Sequence, residues 1–125
     1  ETGDAERALA RAVASPHLEL VGLHTHIGSQ VFDVEPFAAA VACLVDFAAA
    51  MRVRHGFELR EFSPGGGWGV PYYEADSPAP VDRYVRAVCQ AVVEGCRRRG
   101  LALPTLVIEP GRSIVAPAAV ALYRV

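Results

Sequence analysis

Three short clusters of glycine and polar residues are the parts of this sequence that could do chemistry. They read HIGSQ (residues 26–30), PGGGWG (residues 64–69) and EPGRS (residues 109–113), and each follows a run of residues typical of a β-strand. The glycine turn, Gly65–Gly67, offers main-chain N–H groups with no side chain in the way, which suits a phosphate. A tight turn beside a close helix crossing would explain one such glycine, whereas three before an aromatic residue favour the phosphate.

The EPGRS cluster adds a second anion-binding element and a carboxylate. Gly111 leaves the backbone open, and Arg112 carries a forked donor that suits a phosphate or a carboxylate. A surface turn with a solvated arginine is the alternative for PGR taken alone. Glu109 ends the apolar run TLVIE, predicted to be a strand buried on both faces, where a carboxylate is costly without a cation or strong donor. This position favours a ligand with a protonated ring nitrogen.

The HIGSQ cluster supplies groups that could hold the rest of such a ligand. The imidazole of His26 can stack on an aromatic ring, and the hydroxyl of Ser29 can donate to a phosphate. A core histidine hydrogen-bonded to the backbone is the alternative, and it is the preferred interpretation of His24 on the same strand face. A zinc site at His24 and His26 has no obvious further ligand set. A phosphate, a flat ring and a protonated ring nitrogen together describe pyridoxal 5'-phosphate.

The surrounding sequence predicts alternating helices and strands. A short helix capped by Asp4 precedes the strand LELVGLHTHIG; a helix from about Glu35 to Arg54 precedes the strand FELREFSPGGG; a helix from Asp82 to Arg99 precedes TLVIE and a last strand-like run. Such alternation indicates an α/β fold with parallel strands, in which ligands bind at the carboxyl ends of the strands. We expect a contiguous part, about half, of an α/β barrel of the usual ~250 residues.

The composition limits the chemistry and the partners. The chain has 125 residues, is 52% hydrophobic and has a net charge of -2, so it can form a core and has no basic signature for nucleic acid. All 12 basic residues are arginine, and an arginine cannot form a Schiff base. The three cysteines, in helical stretches, are predicted to be small buried residues. With no signal peptide, and an Ala-rich run too short to span a membrane, we expect a cytoplasmic protein.

The stretches GLHTHIGSQ, GGGWGVPY and EPGRSIVA resemble the three barrel motifs of the fold-type III pyridoxal-phosphate-dependent decarboxylases. Within that family they are most similar to the diaminopimelate decarboxylases, and the motifs follow the family's order over nearly the whole chain. The resemblance implies part of a TIM (β/α)8 barrel of the alanine racemase/decarboxylase type, lacking the first strands and the C-terminal β-domain. Residues 1–125 would form a partial cofactor-binding barrel domain.

The resemblance also implies a role for each motif residue. His26 and Glu109 would be the catalytic residues, His26 stacking on the ring of pyridoxal 5'-phosphate and Glu109 pairing with its pyridine nitrogen. Ser29 would touch the phosphate. The remaining cofactor-binding residues would be Gly65, Gly66, Gly67, Pro110, Gly111 and Arg112. In diaminopimelate decarboxylases the arginine of this motif also reaches a substrate carboxylate, which makes Arg112 the predicted substrate-binding residue.

Two parts of the family's machinery have no counterpart here. The family uses a Schiff-base lysine on an early barrel strand, and a cysteine motif from the β-domain that reaches the site across a dimer interface. This chain has no lysine, and its cysteines stand in other contexts. The resemblance thus implies a homodimeric complete protein and an inactive isolated chain. Ser63 and Pro64 replace the family's frequent aspartate and aliphatic residue, a departure expected to shift the loop slightly.

The predicted function is decarboxylation of a small amino acid, with meso-diaminopimelate giving L-lysine and carbon dioxide. Ornithine, arginine, carboxynorspermidine and carrier-bound amino acids are alternative substrates within the same fold. A non-catalytic relative that binds a protein partner is a second hypothesis, although such relatives tend to lose the cofactor residues that this chain keeps. A third, a barrel enzyme for a phosphorylated sugar, leaves the ring-framing His26 and Glu109 unexplained.

Overall fold

Three parallel strands form the framework to which the three clusters are attached. The computed structural model describes residues 3–124, and its sheet has the order β1-β2-β3 with both neighbouring pairs parallel. The strands are β1 (Gly22–His24), β2 (Glu61–Ser63) and β3 (Thr105–Leu106); the helices are α1 (Asp4–Ala14), α2 (Glu35–His55), α3 (Val81–Arg99) and α4 (Gly111–Val115), with a 3-10 turn at Ala116–Ala118. The predicted order of helices and strands is confirmed up to β3.

The long helices end where glycine can adopt a left-handed conformation. Gly56 closes α2 with φ 67°, and Gly100 closes α3 with φ 65°, as the sequence predicts. The start of α1 differs from the prediction, because Gly3 occupies the capping position and Asp4 is the first helical residue. Asp4 therefore lies in the first turn, where its negative charge faces the positive end of the helix dipole.

The core lies where α2 and α3 pack against each other and against β2. Its largest buried members are aromatic: Phe37 of α2, Tyr84 of α3, and Phe62 and Trp68, which flank the glycine turn. The predicted stripes of α2 and α3 are largely buried. The buried residues of these two helices are Phe37, Val41, Val45, Ala48, Met51, Tyr84, Val88, Val92, Gly95 and Cys96. Full burial of each large apolar side chain stabilises the fold by about 1.5–3 kcal/mol.

Tyr84 links this core to the loops that carry the clusters. Its ring stacks on Trp68 with centroids 5.6 Å apart and meets the edge of Phe37 at 5.5 Å. Its hydroxyl donates toward the main-chain oxygens of Val31 at 2.7 Å and Phe32 at 2.8 Å. Burial raises the pKa of this phenol above its ordinary value, so it stays protonated and keeps donating. A single α3 side chain thus ties the segment after β1 and the residue after the glycine turn to the core.

The strands are shorter and more exposed than the sequence predicts. Of the run TLVIE only Thr105 and Leu106 pair with β2, and Val107 and Ile108 are 41% and 37% exposed. The prediction of a strand buried on both faces is wrong for this chain, because no helix among residues 3–124 packs closely on β3, and Thr105, Val107 and Ile108 stay exposed. The strand-like run after EPGRS is also absent: α4 and the 3-10 turn are followed by no strand up to residue 124.

Helix α2 is long and apolar enough to cross a membrane by length and composition alone. The Ala-rich run of residues 37–51 is itself shorter than the roughly 20 residues needed to span a membrane. It lies within this longer helix, which has 21 residues. A core helix meets the same criterion, and α2 carries Phe37, Val41 and Val45 into the contact with α3. Its apolar character is used at least in part for packing within the chain.

The cysteines do not share one environment. Cys96 is buried on α3, but Cys43 and Cys89 are exposed, so the prediction of small buried residues is wrong for two of the three. Their positions lie on the outer sides of α2 and α3, where helical spacing along each chain segment turns them away from the shared core. All three are free thiols.

We expect this difference to govern their chemical reactivity. Burial raises the pKa of the Cys96 thiol, and the thiolate is the reactive form. Iodoacetamide at neutral pH should therefore modify Cys43 and Cys89 within minutes and Cys96 only after denaturant is added. Peptide mass spectrometry of samples quenched with and without urea measures this. Equal labelling of Cys96 under native conditions would contradict the packing of α3 described above.

The contact between α1 and the end of α2 predicts a pH-dependent contribution to stability. Glu6 accepts hydrogen bonds from Arg54 at 2.6 Å and His55 at 2.9 Å. The hydrogen bond from His55, assisted by the charge of Arg54 and opposed by desolvation, holds the pKa of Glu6 below its ordinary 4.5. A carboxyl with a lowered pKa stabilises the fold above its ordinary pKa, and the contribution is lost as the pH falls through the lowered value.

Glu6→Gln should consequently lower the urea midpoint of unfolding at neutral pH, by an amount that shrinks as the pH falls below 4.5. Glu94→Gln is the matched control, because Glu94 is exposed on α3 and belongs to none of the ion pairs among residues 3–124. Urea titrations followed by circular dichroism at several pH values provide the comparison. A deficit of Glu6→Gln that grows toward acid would contradict the linkage.

Candidate active site

The register of the sheet brings the three clusters together at the carboxyl ends of the strands, which form one edge of the sheet. His24 lies beside Ser63, and Phe62 lies beside Leu106, at the carboxyl ends of the three strands. Beyond the strands, the main-chain N–H of Thr25 donates to the main-chain oxygen of Ser63 at 2.9 Å. The N–H of Glu109 donates to the main-chain oxygen of Gly65 at 3.0 Å. Because the strands are parallel, the segments that follow them meet, as the sequence predicts.

The glycine turn is in direct contact with the main chain of both neighbouring segments. A Cβ on Gly65 would collide with the carbonyl oxygen of Thr25, one on Gly66 with that of Glu109, and one on Gly67 with that of Gly28. Gly65 and Gly67 also have φ of 75° and 91°, which glycine adopts without strain. The neighbouring backbone thus leaves no room for side chains at these three positions. This agrees with the alternative of a tight turn in close contact with another element, except that the contacts are with loops and not with a helix.

The turn nevertheless keeps main-chain donors for an anion. The N–H of Gly65 donates to Ser63 Oγ at 3.1 Å. Those of Gly66 and Gly67 donate to no protein acceptor within residues 3–124. Two adjacent free amides beside a glycine backbone have the arrangement that binds phosphate oxygens. Packing and anion binding are therefore compatible uses of the same three residues.

His26 lies against this turn with its ring open to solvent. A Cβ on Gly65 would lie 3.1 Å from His26 Nδ1, and one on Gly67 would lie 3.5 Å from Cε1. His26 and Ser29 are both exposed, so the alternative of a core histidine is wrong for His26. An exposed imidazole beside a glycine turn can present its face to a flat ring. The stacking role of His26 and the phosphate contact of Ser29 stay predictions.

Glu109 has two partners that the sequence did not reveal. His24 Nε2 lies 3.1 Å from Glu109 Oε1, and Ser63 Oγ donates to the same oxygen at 3.1 Å. Both polar contacts of this carboxylate among the described residues are to Oε1, which leaves Oε2 for a ligand. The carboxylate is stabilised by these donors and by solvent, since its side chain is 49% exposed and does not follow a buried strand.

His24 has a different environment from the one that the sequence indicates, and Ser63 has one that the sequence does not indicate. His24 is 56% exposed in its side chain and contacts Glu109, so its interpretation as a core histidine is wrong. Ser63 is buried at 7% exposure and bridges Gly65 and Glu109 through one hydroxyl. Because residues two apart in a strand share a face, the sequence HTH could have predicted that His24 faces the ligand together with His26. No local sequence feature predicts a role for Ser63. A cleft of about 260 Å3 opens beside them, lined also by Val107.

Arg112 approaches the same edge from the start of α4. Its guanidinium carbon lies 5.8 Å from the centre of the Tyr72 ring, and Nη1 lies 3.4 Å from Gln30 Oε1. No carboxylate pairs with Arg112 among residues 3–124, so its charge is available to an anionic ligand. Tyr72 and Gln30 were not identified from the sequence as site residues. Open space surrounds the position that a Cβ would take at Gly111, but the Gly111 N–H already donates to the main-chain oxygen of Glu109 at 2.9 Å.

The described part of the chain gathers no three His, Cys, Asp or Glu side chains into a metal-binding group. His24 and Glu109 form a pair whose third contact is the Ser63 hydroxyl. The chemistry of the edge is consequently that of amides, one carboxylate, one guanidinium and two imidazoles.

Comparison with known proteins connects this donor set to a family. The family described as pyridoxal-dependent decarboxylase, pyridoxal binding domain, matches residues 1–116. The chain belongs to this family. It is 38% identical over 124 residues to a diaminopimelate decarboxylase of Halalkalibacterium halodurans, and 38% identical over 123 residues to that of Bacillus subtilis.

The fold agrees with the same assignment. A crystal structure of diaminopimelate decarboxylase from M. jannaschii in co-complex with L-lysine superposes with a TM-score of 0.85 at 32% identity, covering 94% of this chain and 26% of that one. The match to the H. halodurans relative likewise covers 99% of this chain but 28% of that protein. The predictions of the family and of a partial TIM-barrel fold are confirmed.

The residues at the edge fit the cofactor that the family's description implies. Free amides at Gly66 and Gly67 and the unpaired cation of Arg112 suit a phosphate. Glu109 Oε2 suits a protonated ring nitrogen, and the exposed His26 ring suits the face of a pyridine. The match is one of donor chemistry and spacing along three adjacent loops.

Substitutions at two glycines should distinguish the stability effect of close packing at this edge from the effect of replacing a flexible glycine. Gly66→Ala places a methyl group into the carbonyl of Glu109 and should lower the free energy of unfolding by about 1–3 kcal/mol. Gly111→Ala is the control, because open space surrounds its Cβ position and the change should stay within about 0.5 kcal/mol. Urea unfolding monitored by tryptophan fluorescence measures both. Equal stability of the two variants would contradict the close approach.

Proposed function

We propose that this chain is the cofactor-binding part of a pyridoxal-phosphate-dependent amino-acid decarboxylase that converts meso-diaminopimelate to L-lysine and carbon dioxide. The observation that carries the proposal is the meeting of Glu109, His26 and the glycine turn at the carboxyl edge of one parallel sheet. Identity of 35–40% to several diaminopimelate decarboxylases over almost the whole chain supports the choice of substrate.

The proposed roles rest on the contacts of Glu109, His26, the glycine turn and Arg112, and for Ser29, Pro110 and Gly111 on the resemblance to the family's motifs. The amides of Gly66 and Gly67 and the guanidinium of Arg112 would hold the phosphate group, with Ser29, Gly65, Pro110 and Gly111 beside it, and the ring of His26 would face the pyridine. Pyridoxal phosphate, when bound, supplies a pyridine system that takes up the electron pair left when a carboxylate departs. Glu109 would keep a proton at the ring nitrogen through Oε2, while Ser63 and His24 contact Oε1. A carboxylate held in this way favours the charged form of the nitrogen it faces.

Arg112 has a second use in the same proposal. Its guanidinium has five donors, of which one contacts Gln30, so it can meet the phosphate and still reach a carboxylate of the amino acid. The chain contains no lysine to hold the cofactor covalently, and it spans 28% of the relatives' length. The complete protein would therefore supply that lysine and the β-domain, and residues 1–125 would be a partial barrel domain.

Partners and location belong to the same proposal. The complete protein would be a homodimer acting on a small amino acid in the cytoplasm, with neither nucleic acid nor membrane as a partner. The net charge of -2 supports the absence of a nucleic-acid surface. Three free thiols agree with a reducing compartment.

The direct test measures carbon dioxide released by the complete reading frame supplied with pyridoxal phosphate. We expect release from meso-diaminopimelate and not from ornithine or arginine, and none from residues 1–125 alone. Glu109→Gln should lower kcat by about 100-fold or more, the usual loss when one preorganised electrostatic group is removed. Glu94→Gln, the exposed acid on α3, is the matched control and should leave the rate unchanged.

Other outcomes separate the alternatives. Release from ornithine or arginine alone would retain the cofactor site and overturn the substrate. A complete protein that neither binds pyridoxal phosphate, by absorbance, nor releases carbon dioxide would favour the non-catalytic relative and overturn the proposal.

A further inference from the structure

Gln30 stands out because its backbone is strained and its side chain is fully engaged. With φ of 61°, it is the one non-glycine residue among residues 3–124 in the left-handed region. Glutamine has no special preference for that region, in contrast to glycine and asparagine. Such strain persists only where the surrounding contacts enforce it, and it is concentrated at functional sites.

The contacts that enforce it are made by the Gln30 amide with the backbone of Val70. Nε2 donates to the Val70 oxygen at 2.6 Å, and the Val70 N–H donates to Oε1 at 3.2 Å. Val70 is buried, and the pairing continues the bridge in which Val31 accepts from Gly69 and donates to Gly67. The side chain therefore acts as an extra rung between the segment after β1 and the segment after the glycine turn.

The same amide oxygen also faces Arg112. Nη1 of Arg112 lies 3.4 Å from Gln30 Oε1, and the Tyr72 ring lies on the guanidinium at 5.8 Å. Both partners are neutral. A carboxylate at the position of the Gln30 amide or of the Tyr72 ring would offset the positive charge of Arg112. An amide oxygen and an aromatic face orient the guanidinium and leave its charge available to a ligand. Tyr72 is two residues from Val70. One short segment therefore carries both the backbone that holds Gln30 and the ring that contacts Arg112.

We propose that Gln30 is a positioning residue for Arg112. Its side chain is clamped by Val70, and its oxygen directs the guanidinium so that the remaining donors face the anionic group bound at the edge. That group is a phosphate or a carboxylate, which share the planar, bidentate recognition that arginine provides. The inference rests on the proposed function, since it assigns a support to the arginine of that site.

The length of glutamine explains why it is tolerated in a strained position. Asparagine would fit the backbone better but is one methylene shorter, so it cannot reach Val70 and Arg112 together. Glycine would relieve the backbone and remove the amide altogether. If backbone conformation were the only requirement, both substitutions should be harmless or beneficial.

The test is a double-mutant cycle in the complete protein with Gln30→Asn, Arg112→Lys and the combined variant. Three quantities are measured: the Kd of pyridoxal phosphate for the cofactor-free protein, the inhibition constant of inorganic phosphate against that binding, and KM against kcat for the amino acid. We expect Gln30→Asn to weaken the same quantity as Arg112→Lys by about 10-fold, and the double variant to be no worse than Arg112→Lys alone.

The quantity that changes identifies the anion. A rise in both the Kd of pyridoxal phosphate and the phosphate inhibition constant assigns the phosphate, and a rise in KM alone assigns the substrate carboxylate; either supports the positioning role. Gln30→Gly relaxes the backbone but also removes both hydrogen bonds to buried Val70, so its Tm is measured and binding is compared at a temperature where circular dichroism shows it fully folded. The same loss in the folded variant separates positioning from unfolding.

Multiplicative effects in the double variant would overturn the inference, as would wild-type values in Gln30→Asn and Gln30→Gly. An active unaltered protein with such results would leave the proposed function intact. An unaltered protein that neither binds the cofactor nor releases carbon dioxide would overturn both.

Discussion

The site depends on the close approach of three main-chain segments at Gly65–Gly67. The carbonyl oxygens of Thr25, Gly28 and Glu109 occupy the space that side chains would take at these glycines. Parallel register alone brings strand ends to a common edge, but segments carrying Cβ atoms there would be held further apart. With side chains removed, the carboxylate of the third segment reaches the histidine of the first across the turn of the second.

The polar groups at this edge are arranged so that each charge keeps an open side. Glu109 is held at one oxygen by Ser63 and approached there by His24, and Arg112 is held by an amide and an aromatic ring. The carboxylate and the guanidinium do not form an ion pair with each other. A direct pair would satisfy both groups and leave little affinity for a ligand that carries a cationic nitrogen and an anion. Because Ser63, Gln30 and Tyr72 are neutral partners, they leave both charges available to a ligand.

Local patterns account for what the sequence could predict. Apolar spacing and the terminal glycines Gly56 and Gly100 define α2 and α3, because helix formation and termination depend on nearby residues. The three clusters were likewise evident, since glycine runs and a carboxylate after an apolar run are unusual on their own. The roles of Ser63 and Gln30 depend on partners 46 and 40 residues away, and an isolated serine or glutamine carries no signal of them. The burial of β3 and of the cysteines depends on which elements lie beside them, which periodicity within one segment does not determine.

Trp68 follows the glycine turn directly and is the only tryptophan in the chain. Its ring is stacked on Tyr84, and its Nε1 is buried without a hydrogen-bond partner among residues 3–124. The fluorescence of the indole therefore reports on one place, the junction between helix α3 and the loop of the glycine turn. An emission spectrum of this chain is a readout of whether that loop is seated on the core, obtained without any added label. The same residue that fills the space behind the turn makes the assembly of the site visible in solution.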